Sequence, residues 1–97
     1  MSMTQKIAVI TGSHKGLGYA IAHKLAQQEK IRVVLTSRKE QDGLAAQQRL
    51  SQEHLQVDFH PLDVTSDASV QQFVTWVQQT YGRVDILVNN AGVNPTM

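Results

Sequence analysis

Gly12, Gly16 and Gly18 stand where the apolar run Ile7 to Ile10 gives way to a stretch of helical character near Leu17, inside the octet TGSHKGLG at residues 11 to 18. A strand-to-helix turn of this kind can hold a phosphate. The first backbone N–H groups of a helix point outward with a partial positive charge, and glycine removes the side chains that would block a pyrophosphate. The spacing is GxxxGxG rather than the GxGxxG of many dinucleotide folds. Taken alone, these glycines are open to a second reading as plain turn chemistry.

Charge adds a second element. NAD-binding sheets place an Asp or Glu about 20 residues past the glycines to bind the ribose 2′-hydroxyl. Here that region reads Leu35, Thr36, Ser37, Arg38, with no acid before Glu40. A guanidinium can instead bind 2′-phosphate oxygens through two parallel hydrogen bonds, and Lys15 is placed to bring a second positive charge. Further on, LDV at residues 62 to 64 and NNAG at 89 to 92 each follow an apolar run. His23, His54 and His60 show no metal-ligand spacing, and the chain has no cysteine, so no metal site is expected.

Four elements rich in aliphatic or β-branched residues must position these groups: Lys6 to Thr11, Ile31 to Ser37, Gln56 to Pro61 and Val84 to Asn89. Continuous apolar runs of this length suit strands covered on both faces. Helices are predicted between them, from Leu17 to Glu29 with Leu17, Ile21 and Leu25 on one apolar face, from Glu40 to Glu53, and along the stripe Val70, Phe73, Val74, Val77, Tyr81. Ser66 and Asp67 suit the start of the last helix and Gly82 its stop, whereas Gly43 and a thin apolar stripe weaken the second. Trp76 and Tyr81 read as packing or partly exposed aromatics. Alternating strands and helices imply a parallel sheet with right-handed crossovers. Its strand ends would then collect the glycine loop, LDV and NNAG on one edge.

Composition narrows the classes. A chain of 97 residues with 41% apolar and 18% charged residues is that of one ordinary globular domain. A net charge of +1 provides no electrostatic case for nucleic acid. No apolar run approaches the ~20 residues of a membrane span, and with no signal core at MSMTQK a cytoplasmic location is expected.

TGSHKGLG, LDV and NNAG, in this order and at these distances, resemble the N-terminal half of the short-chain dehydrogenase/reductases, over Lys6 to Asn94. KGLG with VVLTSR at 33 to 38 and FHPLDV at 59 to 64 is most similar to the monomeric carbonyl-reductase branch. The resemblance implies an α/β fold, a Rossmann-type doubly wound parallel sheet truncated after the fourth strand, with residues 1–97 as a single partial dinucleotide-binding domain. It implies NADP(H) as cofactor. Gly12, Ser13, His14, Lys15, Gly16, Leu17 and Gly18 would wrap the pyrophosphate, and Lys15 and Arg38 would hold the 2′-phosphate. Asp63 would bond the adenine amino group and Val64 pack on the ring, while Asn90, Ala91 and Gly92, after Asn89, would brace the sheet and line the ribose and nicotinamide path. His14 departs from the asparagine usual in that branch, and an imidazole lacks the amide's donor and acceptor pair.

The family's catalytic serine and YxxxK pair have no counterpart here, since His23 lies four residues beyond Tyr19 and Asp85 four beyond Tyr81. The expected role is therefore the NADP(H)-binding front part of an enzyme that reduces a carbonyl to an alcohol. A small-molecule carbonyl substrate is expected only if the chain continues. The alternatives are a nucleotide-binding or interaction module without catalysis, or a non-functional truncated product. An exposed fourth strand would favour self-association.

Overall fold

A computed structural model of the chain describes residues 5–90. The elements run β1 (Lys6–Ile10), α1 (Gly16–Ala26), β2 (Ile31–Ser37), α2 (Glu40–Gln52), β3 (Asp58–Pro61), α3 (Asp67–Thr80) and β4 (Ile86–Val88). They form one sheet of order β3-β2-β1-β4 in which every pairing is parallel. This is the doubly wound arrangement the sequence predicts.

Side-chain alternation along the strands makes two cores. Ala8, Ile10, Val33 and Leu35 point to one face, where Ala22 of α1 and Ala46 and Leu50 of α2 cover them. Ile7, Val9 and Val34 point to the other and pack under Phe73 and Val77 of α3, with Leu62. Central strands buried on both sides have no polar face to offer, which is why Ile7 to Ile10 of β1 and Val33 to Leu35 of β2 read as unbroken apolar runs.

Strand β2 keeps the predicted bounds, whereas β3 and β4 start later than predicted, where side chains take up backbone groups beside them. At the start of β4 the Ile7 N–H donates to Asp85 Oδ2 at 2.7 Å, so a carboxylate stands in for the next strand carbonyl. Before β3, the Val57 carbonyl accepts from Gln47 Nε2 at 2.8 Å rather than from a strand. Helix α1 ends at Ala26; its buried residues are the small Gly18 and Ala22, with Ile21 and Leu25 partly buried against the same core. Leu17, placed by the periodicity on the apolar stripe, is 66% exposed, because the close approach of the helix is made one residue later. Val74 of the predicted α3 stripe is likewise exposed. Ser66 caps α3 by accepting from the Ser69 N–H, and Gly82 ends it with φ of 79°.

Gly43, which made α2 doubtful in the sequence, is required by packing. A Cβ built there would lie 1.8 Å from Phe59 Cε1. The helix crosses the aromatic ring of β3 with no room for a methyl group. Alanine would gain about 1 kcal/mol in helix propensity, but displacing a packed ring costs about 1–3 kcal/mol. Gly43→Ala is therefore expected to lower the melting temperature, and a rise would mean that the ring yields freely.

The amino end of the sheet carries its own polar cluster. Arg32 donates to both Asp58 oxygens, from Nε at 3.0 Å and from Nη2 at 2.7 Å, and the Tyr81 hydroxyl also donates to Asp58. Trp76 meets the Tyr81 ring edge-on at 5.5 Å, and His60 packs between Trp76 and Phe73. Burial pushes the Asp58 carboxyl up, but the bonds from Arg32 and Tyr81 outweigh it and hold the group below the usual carboxylate range. A carboxyl whose pKa is lower folded than unfolded contributes stability that is complete above the unfolded value of about 3.9 and is lost as pH falls through the folded value. The urea midpoint should thus fall on acidification below about pH 4, and Asp58→Asn should reduce the size of that fall; an equal fall in both proteins would remove Asp58 as a source.

Candidate functional site

Because all four strands are parallel, their carboxyl ends meet on one edge of the sheet. A cleft of about 590 Å³ opens there. Its lining includes Gly12, His14, Lys15 and Gly16 from the β1–α1 loop, Arg38 after β2, Asp63 and Val64 after β3, and Asn90 after β4. The sequence motifs are thus brought together in space as their strand positions required.

The β1–α1 loop is built on buried hydroxyls. The Ile10 carbonyl accepts from Ser13 Oγ at 2.8 Å and from Thr36 Oγ1 at 3.0 Å. In return the Thr36 N–H donates to Ser13 Oγ at 3.0 Å, and the Gly12 N–H donates to Thr36 Oγ1 at 3.1 Å. Asn90 closes the knot by donating from Nδ2 to the Gly12 carbonyl at 3.1 Å, while its own N–H donates to Thr11 Oγ1 at 2.8 Å. Gly12 and Gly16 have φ of 61° and 62°, the left-handed region that glycine adopts without strain.

Gly18 has a different task. A Cβ there would lie 2.4 Å from the Gly12 carbonyl oxygen and 2.7 Å from Asn90 Nδ2. It lets α1 sit directly on the knot. At Gly16, by contrast, a Cβ would meet nothing within 4 Å, so that side of the loop faces open space.

The open space suits an anion. Helix α1 starts with no side-chain cap and no acid in its first turn, so its leading N–H groups and positive dipole end are left uncompensated. Lys15 occupies the N-cap itself, and Lys15, Arg38 and Lys39 are exposed along the cleft with no salt bridge to any described residue. Two carboxylates, Asp42 and Asp63, share the lining. Asp63 Oδ1 accepts from the Thr65 hydroxyl at 2.6 Å and its N–H at 3.0 Å. These bonds, with the Arg38 charge beyond them, keep the Asp63 carboxyl below its ordinary range.

Three expected site residues do not line the cleft. The Ser13 hydroxyl is fully buried and serves the Ile10 carbonyl, Gly18 serves helix packing, and the Leu17 side chain projects outward. Ala91 and Gly92 lie outside the described residues. Leu62 of the LDV motif also lines the cleft, and Ser37, Lys39, Asp42 and Thr65 join the lining without having been proposed as site residues from the sequence. Their one available signal was position, each lying within a few residues of a strand's carboxyl end. Among the described residues no group of His, Cys, Asp and Glu could hold a metal ion, and no helix is long and apolar enough to cross a membrane.

The model of the family described as short chain dehydrogenase matches residues 6–97. The chain belongs to that family. This short-chain dehydrogenase chain is 44% identical over 98 residues to (−)-isopiperitenone reductase of Mentha piperita, covering 97% of itself and 31% of that protein. It is 40% identical over 93 residues to carbonyl reductase (NADPH) 3 of Mus musculus, covering 96% of itself and 34% of the relative. The solved structure of menthone neomenthol reductase from Mentha piperita superposes with a TM-score of 0.86 at 42% identity, over 94% of this chain and 33% of that one. The short-chain dehydrogenase chain thus spans about a third of the length of these relatives.

Gly18→Ala tests the knot directly. The added methyl group meets a backbone oxygen, so α1 must retreat from the loop; melting temperature is expected to drop by several degrees, equivalent to about 1–3 kcal/mol. An unchanged melting temperature would mean that α1 does not rest on Gly12 and Asn90.

Proposed function

We propose that residues 1–97 form a dinucleotide-binding domain for NADP(H), and that the protein reduces a carbonyl group of a small molecule to an alcohol. The observation that carries this reading is the set of three exposed cations, Lys15, Arg38 and Lys39, beside the uncapped start of α1 in one cleft. The names of the relatives support it: all three are reductases, one of them with NADPH in its name.

The bound dinucleotide would supply the hydride. What the described residues contribute is binding and orientation. The loop from Gly12 to Gly16 presents backbone N–H groups to the pyrophosphate, with Gly16 leaving the approach clear. Lys15 and Arg38 answer the 2′-phosphate, and Lys39 adds to the positive field that draws a polyanion into the cleft. Asp63, held ionised and oriented by Thr65, can accept from an adenine amino group, and Val64, 45% exposed, presents an apolar surface to a base.

Neither described tyrosine has the place of a general acid for the carbonyl oxygen. Tyr81 lies at the amino end of the sheet, donating to Asp58. Burial and the Asp58 carboxylate push its phenol above the ordinary value, the opposite of what proton transfer near neutral pH asks. Tyr19 stands under Arg49.

Arg38→Asp decides the cofactor. Exchanging the guanidinium for a carboxylate repels a 2′-phosphate and offers an acceptor to a 2′-hydroxyl, so the ratio of NADPH to NADH affinity should fall by about tenfold or more. Calorimetric titration with each dinucleotide measures it. An unchanged ratio would place the 2′-phosphate away from Arg38 and overturn the proposal.

A further inference from the structure

We propose that Arg49, on α2, is a positioning residue that holds the phosphate-facing half of the glycine loop in its binding shape. This inference rests on the nucleotide-binding reading above. The loop is secured unevenly. Gly12 and Ser13 are tied by Thr36, Ile10 and Asn90 through bonds inside the fold. Beyond Ser13 that support stops. Among the described residues the Lys15 carbonyl receives only the Tyr19 N–H of the helix it precedes, at 3.3 Å. The imidazole of His14 does not brace the turn through Nδ1, which is buried with no hydrogen-bond partner among the described residues.

Arg49 supplies the missing tether. Its Nη2 donates to the His14 carbonyl at 3.0 Å, the one side-chain hydrogen bond to residues 14–16 among the described residues. The same guanidinium lies over the Tyr19 ring, 4.7 Å from its centroid. One planar group therefore grips the loop on one side of Gly16 and the first turns of α1 on the other. Gly16 between them has φ of 62° and no packing at its Cβ position, so its conformation is set by its flanks.

The platform beneath Arg49 is firm. Its neighbours Ala46 and Leu50 are fully buried against the sheet, and Gly43 seats α2 on Phe59. Arg49 itself is absent from the cleft lining, so it acts through the loop. Planarity is essential to this double task, because a guanidinium can stack on a ring and donate in its own plane at once, whereas an ammonium presents a hydrated point charge.

Affinity for NADPH and NADH, measured by calorimetry on the full chain as wild type, Arg49→Met and Arg49→Lys, tests the inference together with amide hydrogen exchange of the nucleotide-free proteins. Both variants should bind both dinucleotides about three- to tenfold more weakly, the loss that one exposed charge-assisted bond and one cation–π contact can account for. The NADPH to NADH ratio should not move, and exchange should accelerate at residues 14–18 while β1 and β2 keep their protection. Wild-type affinity in Arg49→Lys would show that only charge matters and overturn the inference, as would a shift of the ratio or faster exchange throughout the sheet. A wild-type protein that binds neither dinucleotide would overturn the nucleotide reading and this inference together, a result distinct from any failure confined to the variants.

Discussion

The carbonyl oxygen of Ile10 is the point on which the site depends. It is the last acceptor of β1, and the chain must turn immediately beyond it to free the start of α1 for a ligand. A buried carbonyl left unpaired at that turn would cost about 1–3 kcal/mol. Two hydroxyls, from Ser13 and Thr36, satisfy it, and each also accepts a backbone N–H from the other side of the turn. The bonds are reciprocal, so the loop and the end of β2 are fixed relative to one another without any contribution from a ligand.

From that fixed point the rest of the edge follows. Asn90 reaches across from the end of β4 to the Gly12 carbonyl, which positions the fourth strand's terminus against the loop. Gly18 then brings α1 down onto both. The helix dipole is thus aimed by contacts that close to within a methyl group, and the cations along the cleft line the space it faces. The polar cluster at the opposite end of the sheet shows the contrast. There Arg32, Asp58 and Tyr81 satisfy one another and join β2, β3 and the end of α3, leaving no free charge of their own. Paired charge stabilises one end of the sheet, and unpaired charge equips the other.

Much of this was legible in the residues. Strand and helix types followed from apolar run length and from the periodicity of α3, and parallel strands necessarily bring their carboxyl ends together, which carried TGSHKGLG, Arg38, LDV and Asn90 to one cleft. Less legible were the residues whose role is a contact with something distant in sequence. Gly43 looked like a flaw in a helix because Phe59 is absent from its sequence neighbourhood, and Leu17 looked buried because periodicity fixes a helical face but not how deeply each turn sits. Strand limits were missed where Asp85 and Gln47 side chains replaced the ladder.

The sequence by itself determined the local order of the chain, the glycine turn and the sign of the charge beside it, because dihedral freedom, periodicity and ionisation belong to residues and their immediate neighbours. Only the tertiary structure decided which hydroxyl serves the Ile10 carbonyl, which glycine faces a ligand and which faces a helix, and that Arg49 grips the loop from α2. Those assignments depend on distances between segments separated by up to 78 residues, as Asn90 and Gly12 are, and such distances exist only once the sheet has formed and its faces are packed.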